Sequence, residues 1–260
     1  MASSSEAHAD ERWMARAIRR AAAVFPPPHP NPRVGCVLVR AGEVVGEAAH
    51  QRAGGPHAEA AALAQAGEAA RGATAYVTLE PCAHHGRTPP CADALAAAGV
   101  ARVVAACRDP NPQVAGAGLA RLERSGVAVE AGLLEPDAAA LNRGFLRRIA
   151  GGRPWVRIKL AASLDGRTAM ASGESQWISS AAAREVNEVL VEAGPTLAGA
   201  WLAAGLADEL VVYTAPHLMG DAARPLLVLP GIEAMSERRP LRWTDVRRVG
   251  EEIRITAGLA

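Results

Sequence analysis

Three side chains that bind soft metal ions, His57, Cys82 and Cys91, lie 25 and then nine residues apart, so any fold must bring separate segments to one point. A histidine and two cysteines supply zinc with three protein ligands and leave the fourth position open for water. That is the arrangement of catalytic sites, whereas structural sites are closed. Glu59 stands two residues after His57 and is not needed as a ligand, which frees it to carry protons. A closed structural site is the competing arrangement, with His84 or His85 completing the shell. A structural zinc has no use for a glutamate at that offset, so the open site is expected.

A non-ligand glutamate beside a His/Cys/Cys zinc set is the pattern of zinc-dependent nucleobase deaminases. The generic form spaces its cysteines as Cys-x-x-Cys, whereas eight residues here separate Cys82 from Cys91. The insert His84-His85-Gly86-Arg87-Thr88-Pro89-Pro90 narrows the pattern to one branch. With His29-Pro30-Asn31-Pro32-Arg33-Val34-Gly35, Tyr76-Val77-Thr78-Leu79-Glu80 and Asp109-Pro110-Asn111-Pro112-Gln113-Val114-Ala115-Gly116, the chain closely resembles the bifunctional riboflavin-biosynthesis deaminase/reductase family. The resemblance runs through the first 150 residues and resumes later in two pieces.

The resemblance implies a substrate, a diaminopyrimidinone carrying a ribosylamino 5-phosphate, which loses its 2-amino group to give the uracil. It also implies that Asn31, His50, His84, Arg87 and Asn111 line the substrate pocket. Asn31 and Asn111 each sit between two prolines, on stiff loops suited to fixed hydrogen bonding, although Asn-Pro is equally a turn pair. Cys36 and Cys107 fall inside apolar runs and read as buried thiols without a chemical role.

The local patterns fit an α/β fold. Trp13, Met14, Ala17, Ile18, Ala21 and Val24 recur on one helical face over residues 10–24, and Pro26-Pro27-Pro28 stops that helix. Strands over 34–39 and 44–48 flank Ala41-Gly42 as a hairpin. Further strands over 75–79, 101–106 and 127–131, with helices between, predict a three-layer domain around five strands. The family fold it resembles is cytidine-deaminase-like. Helices are expected to start at His57 and just before Cys91, where the positive end of the helix dipole favours thiolate. One amphipathic helix is predicted from Glu135-Pro136 through Leu141, Phe145, Leu146 and Ile149.

Gly151-Gly152-Arg153-Pro154 reads as a linker, dividing a deaminase domain at 1–150 from a second domain at 151–260. Trp155 to Arg167 forms a strand and turn that resemble the opening of the family's dihydrofolate-reductase-like, NADPH-using α/β domain. Ser172 to Ser179 continues the match, and Val191 to Ala200 matches a segment near that domain's end. Only Ser180 to Leu190 lies between them, where the family carries a long block, so this domain is shortened. Carried over by resemblance are substrate contacts at Ser175 and Glu192, and cofactor contacts at Ala161, Trp177, Gly194, Pro195 and Thr196. Gly194-Pro195-Thr196, between strand and helix, suits a phosphate cradle or a plain turn. Strands over 208–215 and 241–257 complete a reduced sheet, whose open edges favour pairing with a second subunit as a homo-oligomer.

The chain's 28 basic residues balance 27 acidic ones and only 3% of residues are aromatic, which argues against a nucleic-acid surface. A polar first dozen residues and the lack of a spanning apolar run predict a cytosolic protein with no membrane role. Zinc is the expected cofactor, with NADPH as a second only if the reductase site survives, and the expected activity is deamination, with the reductase step lost or weak. A full bifunctional enzyme and a non-catalytic, zinc-stabilised assembly protein are the competing readings. An open coordination position faced by Glu59 separates the enzymes from the latter.

Overall fold

A computed structural model describes residues 4–83, 89–111, 115–169 and 187–259, and no helix among them is long and apolar enough to cross a membrane. The chain divides into two compact units, Met1–Arg153 and Pro154–Ala260.

The first unit runs α1 (Ser4–Ala22), β1 (Gly35–Arg40), β2 (Glu43–Ala49), α2 (Ala58–Ala66), β3 (Thr74–Leu79), α3 (Cys91–Ala97), β4 (Arg102–Cys107), α4 (Ala117–Arg124), β5 (Ala128–Ala131), α5 (Glu135–Leu141) and α6 (Arg143–Gly151). Its sheet has the order β2-β1-β3-β4-β5. The hairpin and the β1–β3 pair are antiparallel, while β3–β4 and β4–β5 are parallel.

Alternation along the strands builds two cores. Cys36 and Leu38 of β1 join Val77 and Val103 beneath Ala58 and Ala62 of α2, Leu95 of α3 and Leu122 of α4. Their neighbours Val37 and Val39 face the other way and pack with Tyr76 and Val104 against Trp13, Met14 and Ala17 of α1 and Ala138 of α5. Helices therefore cover both faces, giving the expected three layers around five strands. Cys36 and Cys107 lie in these cores, and burial pushes both thiols up, Cys107 to about 11.

The single helix expected from Glu135 to Ile149 is broken. Asn142 ends α5 and precedes α6, because its buried side-chain amide bonds to both the backbone N–H and the C=O of Arg33, ahead of β1. A side chain used in this way sets the path of the chain more strongly than apolar periodicity does.

The second unit runs β6 (Trp155–Ser163), β7 (Arg167–Ala169), β8 (Glu188–Glu192), α7 (Pro195–Ala203), β9 (Glu209–Ala215), β10 (Arg224–Pro225), β11 (Leu241–Val249) and β12 (Glu252–Leu259). Five of these strands form a sheet in the order β11-β12-β9-β6-β8, and β7 pairs with β10. β6 lies parallel to both β8 and β9, whereas the hairpin β11–β12 joins β9 antiparallel. Ala198 and Leu202 of α7 pack on Ile158, Leu160 and Leu210 as a small core.

Candidate metal centre

Two of the candidate ligands sit at helix starts and the third in a loop after a strand. His57 caps α2 with extended backbone, φ −69° and ψ 159°, and makes no side-chain capping bond, so its ring can face elsewhere. Cys82 follows β3 in the loop after Pro81, and Cys91 opens α3 after the N-cap Pro90. The Cys91 N–H donates to Cys82 Sγ at 3.3 Å, and the Ala92 N–H donates to the Cys82 carbonyl at 3.2 Å, which locks the two cysteine segments together.

The three ligand atoms converge. His57 Nδ1 lies 3.3 Å from Cys91 Sγ and 3.7 Å from Cys82 Sγ, and all three atoms fall within 4.8 Å of one another. Ligands of a tetrahedral zinc with ordinary Zn–N and Zn–S bonds stand about 3.5 Å apart. The donor set and its spacing thus fit zinc. His84 and His85, the residues that would close the shell, lie outside the described residues, as does Arg87.

Glu59 is 3% exposed in the first turn of α2, the helix that His57 caps, and its charge raises the Cys91 thiol. Burial pushes its pKa up to about 7, and a divalent cation alongside would pull it down. The Cys82 thiol is held down at about 4, first by the Cys91 hydrogen bond, and the same interaction drives Cys91 up. Burial and the Glu59 charge push Cys91 the same way. The Cys82 hydrogen bond also raises His57.

Asn31 and His50 meet beside this cluster. Asn31 Nδ2 lies 3.0 Å from His50 Nε2, while His50 Nδ1 lies 2.9 Å from the Pro56 carbonyl. A carbonyl only accepts, so Nδ1 carries the proton and Nε2 accepts from the Asn31 amide. Burial lowers the His50 pKa and so favours this neutral form, and its ring stands edge-on to His57 with centroids 5.4 Å apart. Asn111 is held by its own backbone: its N–H donates to Asp109 Oδ1 at 2.9 Å and its C=O accepts from the Ala115 N–H at 2.8 Å. Sequence reasoning missed Glu80, a buried carboxylate next to Pro81-Cys82. Its signal was available, as an acidic residue placed directly after a buried strand and before Pro81-Cys82.

In the second unit, β6 and β8 pair Lys159 with Glu192, which sets Ala161 and Gly194 beyond that pair at the same end of the parallel strands. Gly194 caps α7, and Pro195 and Thr196 form its first turn, so backbone N–H groups open at that end. This is where α/β sheets receive the phosphates of a dinucleotide, and the donor set there suits one. Glu192 itself forms an ion pair with Lys159 at 2.9 Å. Ser175 and Trp177 lie outside the described residues.

Residues 7–107 match the cytidine and deoxycytidylate deaminase zinc-binding region. Residues 154–186 and 180–255 match the RibD C-terminal domain in two pieces. The riboflavin biosynthesis protein RibD of Escherichia coli (strain K12) is 41% identical over 358 aligned positions, covering 94% of this chain and 98% of the relative. The chain belongs to the RibD family. The family fold extends across both units: Acinetobacter baumannii RibD, form 2, superposes with a TM-score of 0.88 at 35% identity, covering 98% of this chain and 100% of that one. A deaminase/reductase from Thermotoga maritima superposes equally well at 25% identity, with the same coverage. The 358 aligned positions exceed the 260 residues present, so the Escherichia coli RibD carries a block with no counterpart here. The two pieces of the C-terminal match meet at 180–186, which puts the missing block just before β8.

Proposed function

We propose that this RibD-family chain catalyses hydrolytic deamination of 2,5-diamino-6-(5-phosphoribosylamino)pyrimidin-4(3H)-one to 5-amino-6-(5-phosphoribosylamino)uracil and ammonia. The observation that carries the proposal is the convergence of His57, Cys82 and Cys91, with the buried Glu59 in the first turn of the helix that His57 caps. Zinc held by the three would supply the Lewis acidity that makes water nucleophilic near neutral pH. Glu59 takes the proton that water gives up as its oxygen bonds to the ring carbon bearing the 2-amino group, and delivers it to the adjacent ring nitrogen. The hydroxyl now on that carbon gives its proton through Glu59 to the departing amine, and the C–N bond breaks to leave a carbonyl and ammonia. Asn31 and His50, joined as a fixed pair, are assigned to the substrate with His84, Arg87 and Asn111.

The domain division is assigned at 1–150 for the deaminase and 151–260 for the reductase-like part, close to the compact units. The reductase step is assigned as absent or weak, because hydride transfer needs nicotinamide and ribosyl chain held in near-attack geometry. The block absent before β8 supports this. The retained phosphate-suited end of the sheet favours the opposite reading, a working NADPH-dependent reductase with Ser175 and Glu192 on substrate and Ala161, Trp177, Gly194, Pro195 and Thr196 on cofactor. We also assign the chain to the cytosol, where its four free thiols stay reduced, and to a homo-oligomer, since β11 is an open edge among the described residues.

One experiment tests both units. Purified zinc-loaded protein incubated with the diaminopyrimidinone phosphate should release ammonia and accumulate the aminouracil even with excess NADPH. Glu59→Gln should keep its zinc and lose ammonia release by at least about 100-fold, whereas Cys82→Ala should lose both. Wild-type turnover in Glu59→Gln would remove Glu59 from the chemistry. Stoichiometric NADPH oxidation with a ribitylamino product would establish the bifunctional alternative.

A further inference from the structure

Glu80 carries no part in the deamination described above, yet it is only 4% exposed and stands between β3 and the Cys82 loop. Its two carboxylate oxygens accept four backbone N–H groups. Oε2 takes Asp109 at 3.2 Å and Gly116 at 3.0 Å, while Oε1 takes Gly118 at 2.9 Å and Leu119 at 3.4 Å. A buried carboxylate that only accepts can be satisfied in this way by donors alone.

Those four donors bracket Asn111. Asp109 lies two residues before it and accepts its N–H, and the Ala115 N–H donates to its carbonyl just ahead of Gly116. The same segment grips the metal loop from the other side. Arg121 of α4 donates to the Ala83 carbonyl at 3.0 Å and forms an ion pair with Asp93, two residues after Cys91. Residues 80–83 are thereby fixed at both ends to the segment that carries Asn111.

We propose that Glu80 is a positioning residue, setting Asn111 against the Cys82 loop so that a pyrimidine substrate meets both at once. The inference rests on the deaminase reading above and adds to it a residue that touches neither metal nor substrate.

The test is Glu80→Gln in the full, zinc-loaded chain. The amide keeps the shape but turns one acceptor into a donor facing backbone donors. Hydrogen exchange at Asp109, Gly116, Gly118 and Leu119 should speed up at least about tenfold. KM for the diaminopyrimidinone phosphate should rise about tenfold, the worth of roughly one charge-assisted hydrogen bond, with kcat within about threefold and zinc content unchanged. In an Asn111→Ala background the same substitution should move KM less than about twofold, because the pathway through Asn111 is already gone. Glu80→Asp, which keeps the charge but shortens the reach, should show the same pattern and serves if the glutamine variant fails to fold.

Unchanged exchange at the four amides overturns the proposal, as does an undiminished KM effect in the Asn111→Ala background. Zinc loss in both Glu80 variants also overturns it, by making Glu80 a support of the metal loop alone. If the wild type releases no ammonia, the deaminase reading fails, while the exchange measurement still decides whether Glu80 clamps the segment.

Discussion

Asn142 grips Arg33 at both of its backbone polar groups, donating through Nδ2 to the carbonyl at 2.8 Å and accepting through Oδ1 from the N–H at 2.8 Å. The two residues are 109 positions apart, and Asn142 is 5% exposed. The bond pair closes the first unit by tying the α5–α6 junction to the chain just before β1. The amide supplies the donor and the acceptor on two separate atoms, matching the two backbone groups of one residue.

Asn142→Ala should therefore lower unfolding free energy by about 2–4 kcal/mol, since it removes two hydrogen bonds and leaves buried partners unsatisfied. Asn142→Asp should also destabilise, because it loses the donor and sets a negative oxygen against the Arg33 carbonyl. Urea denaturation of the isolated variants measures both. A loss under about 0.5 kcal/mol, the range of idle surface changes, would show that the clasp contributes nothing.

What could be read in advance follows from how local each signal is. Cys36 and Leu38 alternate with Val37 and Val39, so β1 and its two faces are visible in six consecutive residues. His57, Glu59, Cys82 and Cys91 declare their chemistry by residue type and spacing, and the fold brings the three ligands together. The Asn142 clasp, the Asn31–His50 pair and the four bonds of Glu80 join residues far apart in the chain, and no local period encodes such pairings.

Gly118 offers a sharp test of the contact between α4 and the metal loop. A Cβ there would lie 1.9 Å from the Pro81 carbonyl oxygen, a backbone atom that cannot swing away. Gly118→Ala should push α4 off residues 80–83, reduce stability by about 1–3 kcal/mol, and weaken zinc retention against a chelator. Gly151→Ala is the control, as a Cβ there meets nothing within 4 Å. If Gly118→Ala matches Gly151→Ala in both measurements, the close approach is not needed.

Asp10 gives the acid side of the stability profile. Arg102 bonds to it through two nitrogens and Tyr76 through its hydroxyl, and the Arg102 guanidinium holds its pKa below the ordinary aspartate value of 3.8. A carboxylate whose pKa is depressed on folding stabilises the protein above its unfolded value. That contribution disappears as pH falls through the lower folded value. The wild type should thus lose stability between about pH 4 and pH 2 more steeply than Asp10→Asn, which should already be weaker at pH 7. Parallel urea midpoints for the two proteins across that window would show that the Asp10 charge does not contribute.

β11 is an edge strand of the second sheet. Trp243 is 63% exposed and Val246 60% exposed, on a nine-residue strand whose outer backbone edge has no neighbouring strand among the described residues. Large apolar side chains on an unpaired edge favour strand addition by another chain. Two copies paired antiparallel about Val246 would place Asp245 opposite Arg247 and Trp243 opposite Val249, so opposite charges and apolar groups would meet. Trp243→Lys combined with Val246→Lys should therefore shift the protein to the monomer in sedimentation or light scattering, with metal content and deaminase turnover retained, because both positions lie outside the unit that carries the zinc ligands. An unchanged mass for the double variant, or a wild type that is already monomeric at micromolar concentration, would place any subunit contact elsewhere and leave β11 a solvated edge.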